Sequence, residues 1–113
     1  FTITGPGSPS VLTNMPRSIE QHVDWITQLL KYLTNSNMTK VEAKEIDAEN
    51  WTKYVTEIAN KTLMPKAGHS WYLGANIPGK PRVFMPYANG LNNYRDECET
   101  VAAGGYTGFK ISS

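Results

Sequence analysis

The chain has 113 residues, of which 40% are hydrophobic and 19% charged, and its net charge is +1. This length allows one small domain, and the composition excludes collagen, coiled coil and extensive disorder. The near-neutral charge argues against nucleic-acid binding through bulk electrostatics, and no apolar run reaches the roughly 20 residues that span a bilayer. The one cysteine excludes a disulfide within the chain and, with only two histidines, argues against a Cys/His zinc site.

The beginning of the chain combines a short extended segment with a turn-rich loop. Residues 1–4 predict a strand, and the glycines and prolines of residues 5–10 predict turns because they interrupt regular structure. The chain starts at Phe1 with neither an initiator methionine nor a signal-peptide pattern. We therefore expect it to continue an earlier segment.

A long helix is predicted next. Ser18 and Gln21 have the spacing of a capping box at a helix start. Apolar side chains then recur every three or four residues as far as Leu33, which is the period of one helix face. This pattern predicts an amphipathic helix over residues 18–35, with Trp25 on its apolar face.

The middle of the chain predicts a strand, a helix and a loop. Residues 39–45 are consistent with a short strand. Asp47 is expected to cap a second helix, which carries Trp51 on its apolar face and is ended by Pro65. The glycines and prolines of residues 67–81 predict a loop.

The last third of the chain predicts a strand, a helix and a strand. Residues 83–85 form a strand that is cut short by the following proline. A third helix covers roughly residues 91–103 and ends at Gly104 and Gly105, which suit the left-handed conformation of a helix C-terminus. Residues 106–111 form the final strand.

These elements predict an α+β chain with about three amphipathic helices and a few short strands. The four predicted strands are scattered and do not obviously pair with one another. Because isolated strands are marginal in water, we expect their partners to lie elsewhere, in a larger sheet-containing fold.

Charge is distributed less evenly than its sum suggests. Residues 1–50 carry 4 basic and 6 acidic side chains, net −2, whereas residues 51–113 carry 7 and 4, net +3. No Asp or Glu occurs between Ile58 and Arg95, and this acid-free window contains six basic side chains: Lys61, Lys66, His69, Lys80, Arg82 and Arg95. Such a positive field suits an anionic group such as a phosphate. A chance gap in acidic residues is the alternative.

One glycine-rich segment has the spacing of a phosphate loop. Gly74 and Gly79 are followed by Lys80, as in the loop of nucleoside triphosphatases. Pro81, however, occupies the position of the hydroxyl residue that binds magnesium, and it disfavours helical geometry at Lys80. We therefore reject a triphosphatase and retain a loop that can close Lys80 and Arg82 over an anion.

Three other side chains allow a functional and a structural interpretation. Trp71 lies in the loop, where its flat ring and N–H suit a ligand or fill the edge of the core. Cys98 lies between Glu97 and Glu99, whose carboxylates raise a thiol pKa and argue against a nucleophile. His22 is expected to be a partly buried structural histidine. The spacing supports neither a metal site nor a Ser/His/Asp arrangement.

Several segments together resemble the carboxyl-terminal region of flavin-dependent Baeyer–Villiger monooxygenases, of the phenylacetone, cyclopentadecanone or cyclohexanone monooxygenase type. They are GPGSPSVLTNM at 5–15, SIEQHVDW at 18–25, SWYLGANIPGKPRVFM at 70–85 and GYTGF at 105–109. The resemblance runs through nearly all 113 residues in order. It implies that the chain is part of a larger FAD- and NAD(P)-binding, Rossmann-like α/β fold.

The resemblance divides the chain into one continuous segment with four parts. Residues 1–16 would line the flavin and the substrate, and residues 17–65 would be helical. Residues 66–82 would form a mobile loop that faces NADP, and residues 83–113 a strand–helix–strand unit.

The resemblance also implies roles for individual residues. It places the substrate-binding residues in the first loop, at Ser10, Val11, Leu12 and Thr13. It places the cofactor-binding residues beside the flavin and in the NADP-facing loop, at Asn14, Met15, Trp71 and Lys80.

The family uses FAD and NADPH to insert one oxygen atom of O2 next to a ketone carbonyl, giving an ester or lactone. The resemblance therefore implies FAD and NADP as cofactors, a small ketone as substrate, and upstream FAD and NADP domains as partners, in a cytoplasmic enzyme without nucleic-acid or membrane partners. The glycine-rich dinucleotide fingerprints do not occur in these residues, and the family's catalytic arginine lies upstream of the region that matches. We expect no catalytic residue in the chain and no activity from the chain alone.

A second hypothesis is a free-standing small binding or interaction module derived from a truncated monooxygenase gene. It predicts cooperative unfolding of the isolated chain and a dimer that covers the exposed helix faces.

Overall fold

Three helices and one small sheet make up the regular structure in the described part of the computed structural model, residues 1–66 and 70–113. The elements in chain order are α1 Met15–Asn35, β1 Lys40–Ala43, α2 Glu45–Asn60, α3 Leu91–Ala103 and β2 Phe109–Ser112. Two single turns of 3₁₀ helix, Met64–Lys66 and Trp71–Leu73, lie between α2 and α3. The predicted α+β class and its three helices are confirmed.

Helix α1 begins three residues earlier than predicted, because Asn14 rather than Ser18 is its N-cap. The Asn14 side chain accepts a hydrogen bond from the backbone N–H of Arg17 at 3.2 Å, and Pro16 fits the first turn, where an N–H needs no helical partner. Ser18 is buried inside the helix and donates to the carbonyl of Pro9 at 3.2 Å. The predicted capping box is therefore wrong.

Helix α2 also begins earlier than predicted. Its N-cap is Lys44, which makes no capping bond, and Asp47 lies with Glu45 in the first turn. Carboxylates there stabilise the helix through its dipole, although Asp47 is not the cap. The helix ends at Asn60, before Pro65 can interrupt it.

Two of the four predicted strands exist, and they pair with each other. β1 and β2 form an antiparallel sheet in which Val41 faces Ile111. The expectation that these strands find their partners outside the chain is wrong. Residues 1–4 do not form a strand, because Thr4 adopts a positive φ of 54° in a turn. Residues 83–85 do not form a strand.

The helix α3 ends as predicted, at its two glycines. Gly105 has a φ of 75°, the left-handed conformation that L residues rarely adopt. Trp25 of α1 donates from its indole N–H to the carbonyl of Cys98 at 2.9 Å. This bond ties α1 to α3 across the fold.

Buried apolar side chains of the described residues form three separate clusters rather than one core. Leu29 packs with Tyr106 between α1 and the sheet, and Tyr87 packs against α2. Leu73, at the end of the second 3₁₀ turn, packs with Phe84. The radius of gyration is 15.3 Å, against about 13 Å for a compact domain of this length. The chain is thus elongated, with a divided core.

Candidate functional site

The two loops that carry the predicted site residues are both hydrogen-bonded to one segment, residues 83–87. The backbone N–H of Met85 donates to the carbonyl of Tyr72 at 3.0 Å, and the carbonyl of Met85 accepts from the N–H of Gly7 at 2.7 Å. The last residue of the segment donates to the carbonyl of Ser8 at 2.8 Å. We call residues 83–87 the bridge segment, because it holds both loops at a defined separation.

We call the contact between the first loop and the bridge segment the junction. Helix α2 supports it through Trp51. Its indole N–H donates to the carbonyl of Gly7 at 3.2 Å, and its ring stacks on Tyr87 with 5.7 Å between ring centroids and 4° between ring planes. Gly7 has a φ of 80°, and a Cβ there would lie 2.8 Å from the Trp51 nitrogen. Sequence reasoning missed this junction, although the Gly-Pro-Gly run marks the position.

The predicted substrate residues form a turn that precedes α1. The N–H of Thr13 donates to the carbonyl of Ser10 at 3.3 Å, and this turn exposes the apolar side chains of Val11 and Leu12. Asn14 and Met15, the predicted flavin neighbours, follow as the cap and first residue of α1. The six residues are therefore contiguous at one end of the helix.

Asn14 caps helix α1, and this role can be tested separately from any contact with a flavin. Asn14→Ala is expected to lower the free energy of unfolding by about 1 kcal/mol, since it removes the cap, whereas Asn14→Ser preserves a capping oxygen. Urea unfolding followed by tryptophan fluorescence measures both changes. Equal losses in the two variants would contradict the capping role.

Trp71 and Lys80 lie in one compact loop. Trp71 is 58% exposed, so it does not fill the edge of the core, and its ring packs against Tyr72 with centroids 4.1 Å apart and 33° between the ring planes. The N–H of Gly74 donates to the Trp71 carbonyl at 2.9 Å. The Lys80 side chain covers Gly74, with Cδ 3.5 Å and Nζ 3.9 Å from the position of an added Cβ. The loop thus presents an exposed indole at Trp71 and the Lys80 ammonium group beside Gly74.

One of the six basic side chains in the acid-free window is paired with a carboxylate. Arg95 forms an ion pair with Glu99 at 3.6 Å on the surface of α3, so part of its charge is neutralised. His69 and the start of the predicted 67–81 loop lie outside the described residues. Lys66, His69 and Lys80 are the basic residues of the window nearest Trp71 in sequence.

His22 and Cys98 have structural environments, as predicted. His22 is 7% exposed, its Nδ1 accepts from the N–H of Thr4 at 2.9 Å, and burial lowers its pKa. Burial also raises the pKa of the Cys98 thiol; hydrogen bonds from Gln21 and Tyr94 oppose that shift, and neighbouring carboxylates add to it. Both groups are therefore neutral near pH 7.

Cys98 is expected to react slowly with iodoacetamide at pH 8, because the thiolate is the nucleophile and the raised pKa keeps it scarce. A raised pKa also means that stability is present at neutral pH and is lost as pH rises above about 9, the ordinary value. Mass spectrometry of alkylation against pH measures the reaction. The control is the double variant Cys98→Ser/Ser113→Cys, whose exposed thiol should react faster; equal rates would contradict the expectation.

The described residues hold no group of three or more His, Cys, Asp and Glu side chains that could bind a metal ion. Over residues 1–66 and 70–113, the helices lack the length and hydrophobicity of a membrane span.

The chain is similar to known enzymes along almost its whole length. It is 41% identical over 107 residues to a Baeyer–Villiger monooxygenase of Pseudooceanicola batsensis, covering 95% of the chain and 19% of that enzyme. It matches the structure of cyclohexanone monooxygenase from Rhodococcus sp. Phi1 bound to NADP⁺ with a TM-score of 0.88 and 40% identity, covering 98% of the chain and 20% of that structure. It matches OTEMO in complex with FAD and NADP with a TM-score of 0.87 and 25% identity, covering 99% and 20%.

The resemblance found in the sequence is thereby confirmed, and the chain spans about a fifth of the length of the curated relatives that it matches. No protein-family model matches the chain.

Proposed function

We propose that the chain completes the active site of a Baeyer–Villiger monooxygenase, because it corresponds to a carboxyl-terminal portion of such an enzyme. The parent enzyme would be cytoplasmic and would use NADPH, FAD and O2 to insert an oxygen atom next to a ketone carbonyl. The observation that carries the proposal is the match of 98% of the chain, at 40% identity and a TM-score of 0.88, to an enzyme bound to NADP⁺. This continuous match favours the proposal over a free-standing module.

The chain's own contribution is to shape the site and exclude water. FAD, when bound, would supply the oxygen-transfer chemistry. Ser10 to Thr13 would form one wall of the ketone pocket, where the exposed apolar side chains of Val11 and Leu12 suit a hydrocarbon substrate. Asn14 and Met15, next in the chain, would border the flavin. An apolar wall there keeps water from the reacting groups.

Trp71 and Lys80 would cover NADP. The indole of Trp71 offers a broad exposed surface for the cofactor. Lys80 covers Gly74 and adds a positive charge beside it, which suits an anionic dinucleotide. Because the bridge segment is hydrogen-bonded to both loops, it would connect the ketone side and the NADP side of the proposed site.

The proposal is tested by joining the chain to the upstream four-fifths of the Rhodococcus cyclohexanone monooxygenase, in place of the matching region. This joined enzyme is expected to bind FAD, seen in its visible absorbance, and to convert cyclohexanone to the lactone with consumption of NADPH. The chain alone should do neither. A folded joined enzyme that binds no flavin would contradict the proposal.

Trp71→Ala and Lys80→Ala in the joined enzyme are each expected to raise the KM for NADPH by about 10-fold, which corresponds to about 1.4 kcal/mol of lost binding. Steady-state kinetics with varied NADPH measures the change. Lys110→Ala removes an exposed lysine from the sheet and is the matched control. If all three variants keep the same KM, the assigned NADP contacts are wrong.

A further inference from the structure

Ser18 makes a contact that its place in a helix does not require. A serine or threonine inside a helix commonly donates to a carbonyl of the preceding turn, as Thr34 of α1 does to Leu30 at 3.0 Å. The hydroxyl of Ser18 instead leaves its helix and donates to the carbonyl of Pro9 at 3.2 Å. Ser18 and Pro9 are both fully buried. The hydroxyl therefore joins the start of α1 to the first loop.

This bond and the helix cap together fix both ends of the turn formed by residues 10–13. Pro9 is the residue before the turn, and Ser18 holds its carbonyl. Asn14 is the residue after the turn, and its side chain accepts from the N–H of Arg17 at 3.2 Å. Ser18 and Arg17 lie side by side near the start of α1. The entry and the exit of the turn are thus bound to the same part of one helix.

The two residues before Pro9 are held by other elements. The carbonyl of Gly7 accepts from the indole N–H of Trp51 in α2 at 3.2 Å, and the carbonyl of the next residue accepts from the bridge segment at 2.8 Å. The carbonyls of residues 7–9 are therefore each bound by a distant element. Among these three bonds, the one from Ser18 lies next to the 10–13 turn in the chain.

Removing the Ser18 hydroxyl would release the turn at its entry. Buried carbonyl groups in native proteins are nearly always hydrogen-bonded, and the carbonyl of Pro9 would lose this donor. The loop would then gain by shifting until that carbonyl meets water or another donor. Because Pro9 leads directly into the turn, Val11 and Leu12 would move with it.

We infer that Ser18 is a positioning residue for the ketone pocket. Its hydroxyl holds Pro9 and, through Pro9, keeps Val11 and Leu12 where they would contact the substrate. Ser18 is itself fully buried, so it acts on the turn and not on the ketone. The inference rests on the proposed function, because that function assigns the turn to the ketone pocket.

The effect is expected on the ketone side of the site and not on the NADP side. The bridge segment binds the first loop at residues 7 and 8, which precede Pro9 in the chain. These bonds remain when the Ser18 hydroxyl is removed. The loop that carries Trp71 and Lys80 therefore keeps its connection to the bridge segment.

Ser18→Ala in the joined enzyme is expected to raise the KM for cyclohexanone about 3- to 10-fold, because the turn is in place in fewer molecules. The KM for NADPH should stay unchanged. Steady-state kinetics with each substrate varied in turn measures both constants. A general loss of stability would not separate the two constants. An unchanged KM for cyclohexanone, or an equal rise in both constants, would overturn the inference.

Thr34→Ala is the matched control, because it also removes a hydroxyl from α1. That hydroxyl donates within the helix, to Leu30, and lies at the opposite end of α1 from the turn. Both KM values should therefore equal those of the unsubstituted joined enzyme. If Thr34→Ala raises the KM for cyclohexanone as much as Ser18→Ala does, the assigned role of Ser18 is wrong.

Hydrogen exchange followed by mass spectrometry tests the turn without any reaction. The amides of Ser10 and Thr13 are hydrogen-bonded within the first loop, so their exchange reports how often the turn opens. The peptide that contains residues 10–13 should exchange at least several-fold faster in Ser18→Ala and unchanged in Thr34→Ala. Unchanged exchange in Ser18→Ala would overturn the positioning role alone. Loss of flavin binding and lactone formation in the unsubstituted joined enzyme would contradict the proposed function instead.

Discussion

Gly7→Ala is expected to lower the free energy of unfolding by about 1.5–3.5 kcal/mol and to displace both site loops. At a φ of 80°, an L residue costs roughly 1–2 kcal/mol. The new Cβ would also lie 2.8 Å from Nε1 of Trp51, so the indole must move and its bond to the Gly7 carbonyl weakens. A typical hydrogen bond is worth about 0.5–1.5 kcal/mol. Urea unfolding followed by tryptophan fluorescence measures the total.

Gly79→Ala is the matched control for Gly7→Ala. Gly79 has a similar φ of 77°, but nothing lies within 4 Å of the position of an added Cβ. It should show the backbone cost alone, about 1–2 kcal/mol. If the two variants lose the same stability, the contact between Gly7 and Trp51 does not constrain the junction. A larger loss for Gly7→Ala identifies that contact as the additional cost.

The helices could be predicted from the sequence because their signals are local. The three- and four-residue spacing of apolar side chains lies within a few turns of chain, and α3 was bounded correctly by its glycines. The starts of α1 and α2 were harder to predict. Ser18 satisfies the capping-box spacing, yet its hydroxyl donates to the carbonyl of Pro9. Residue spacing within one helix does not predict this contact, because Pro9 lies outside the helix.

Strand pairing and the junction of the site were not predictable in the same way, since both depend on distant residues. β1 and β2 are separated by α2 and α3, and nothing in either four-residue strand specifies the other. The contact of Gly7 with Trp51 spans 44 residues. The sequence left Trp71 open between a ligand contact and the edge of the core; the structure exposes its ring, and the resemblance was needed to name the ligand.

Leu29→Ala is expected to be among the most destabilising single substitutions in the chain. Leu29 is 0% exposed and packs with Leu33 and Tyr106, where α1 meets the sheet. Truncating a fully buried leucine costs about 2–5 kcal/mol, through lost apolar contacts and the cavity left behind. Because the core is divided into small clusters, the other two cannot compensate for this loss. Urea unfolding should show an earlier transition, or no folded baseline at all.

Leu30→Ala supplies the control, because it removes the same atoms from the next residue of the same helix. Leu30 is 49% exposed, so its truncation should cost less than about 0.5 kcal/mol, the range of ordinary surface substitutions. Helix propensity changes equally in both variants, since both replace leucine by alanine. The difference between them therefore measures burial against the sheet alone. Similar losses of stability for Leu29→Ala and Leu30→Ala would show that α1 does not pack on the sheet through Leu29.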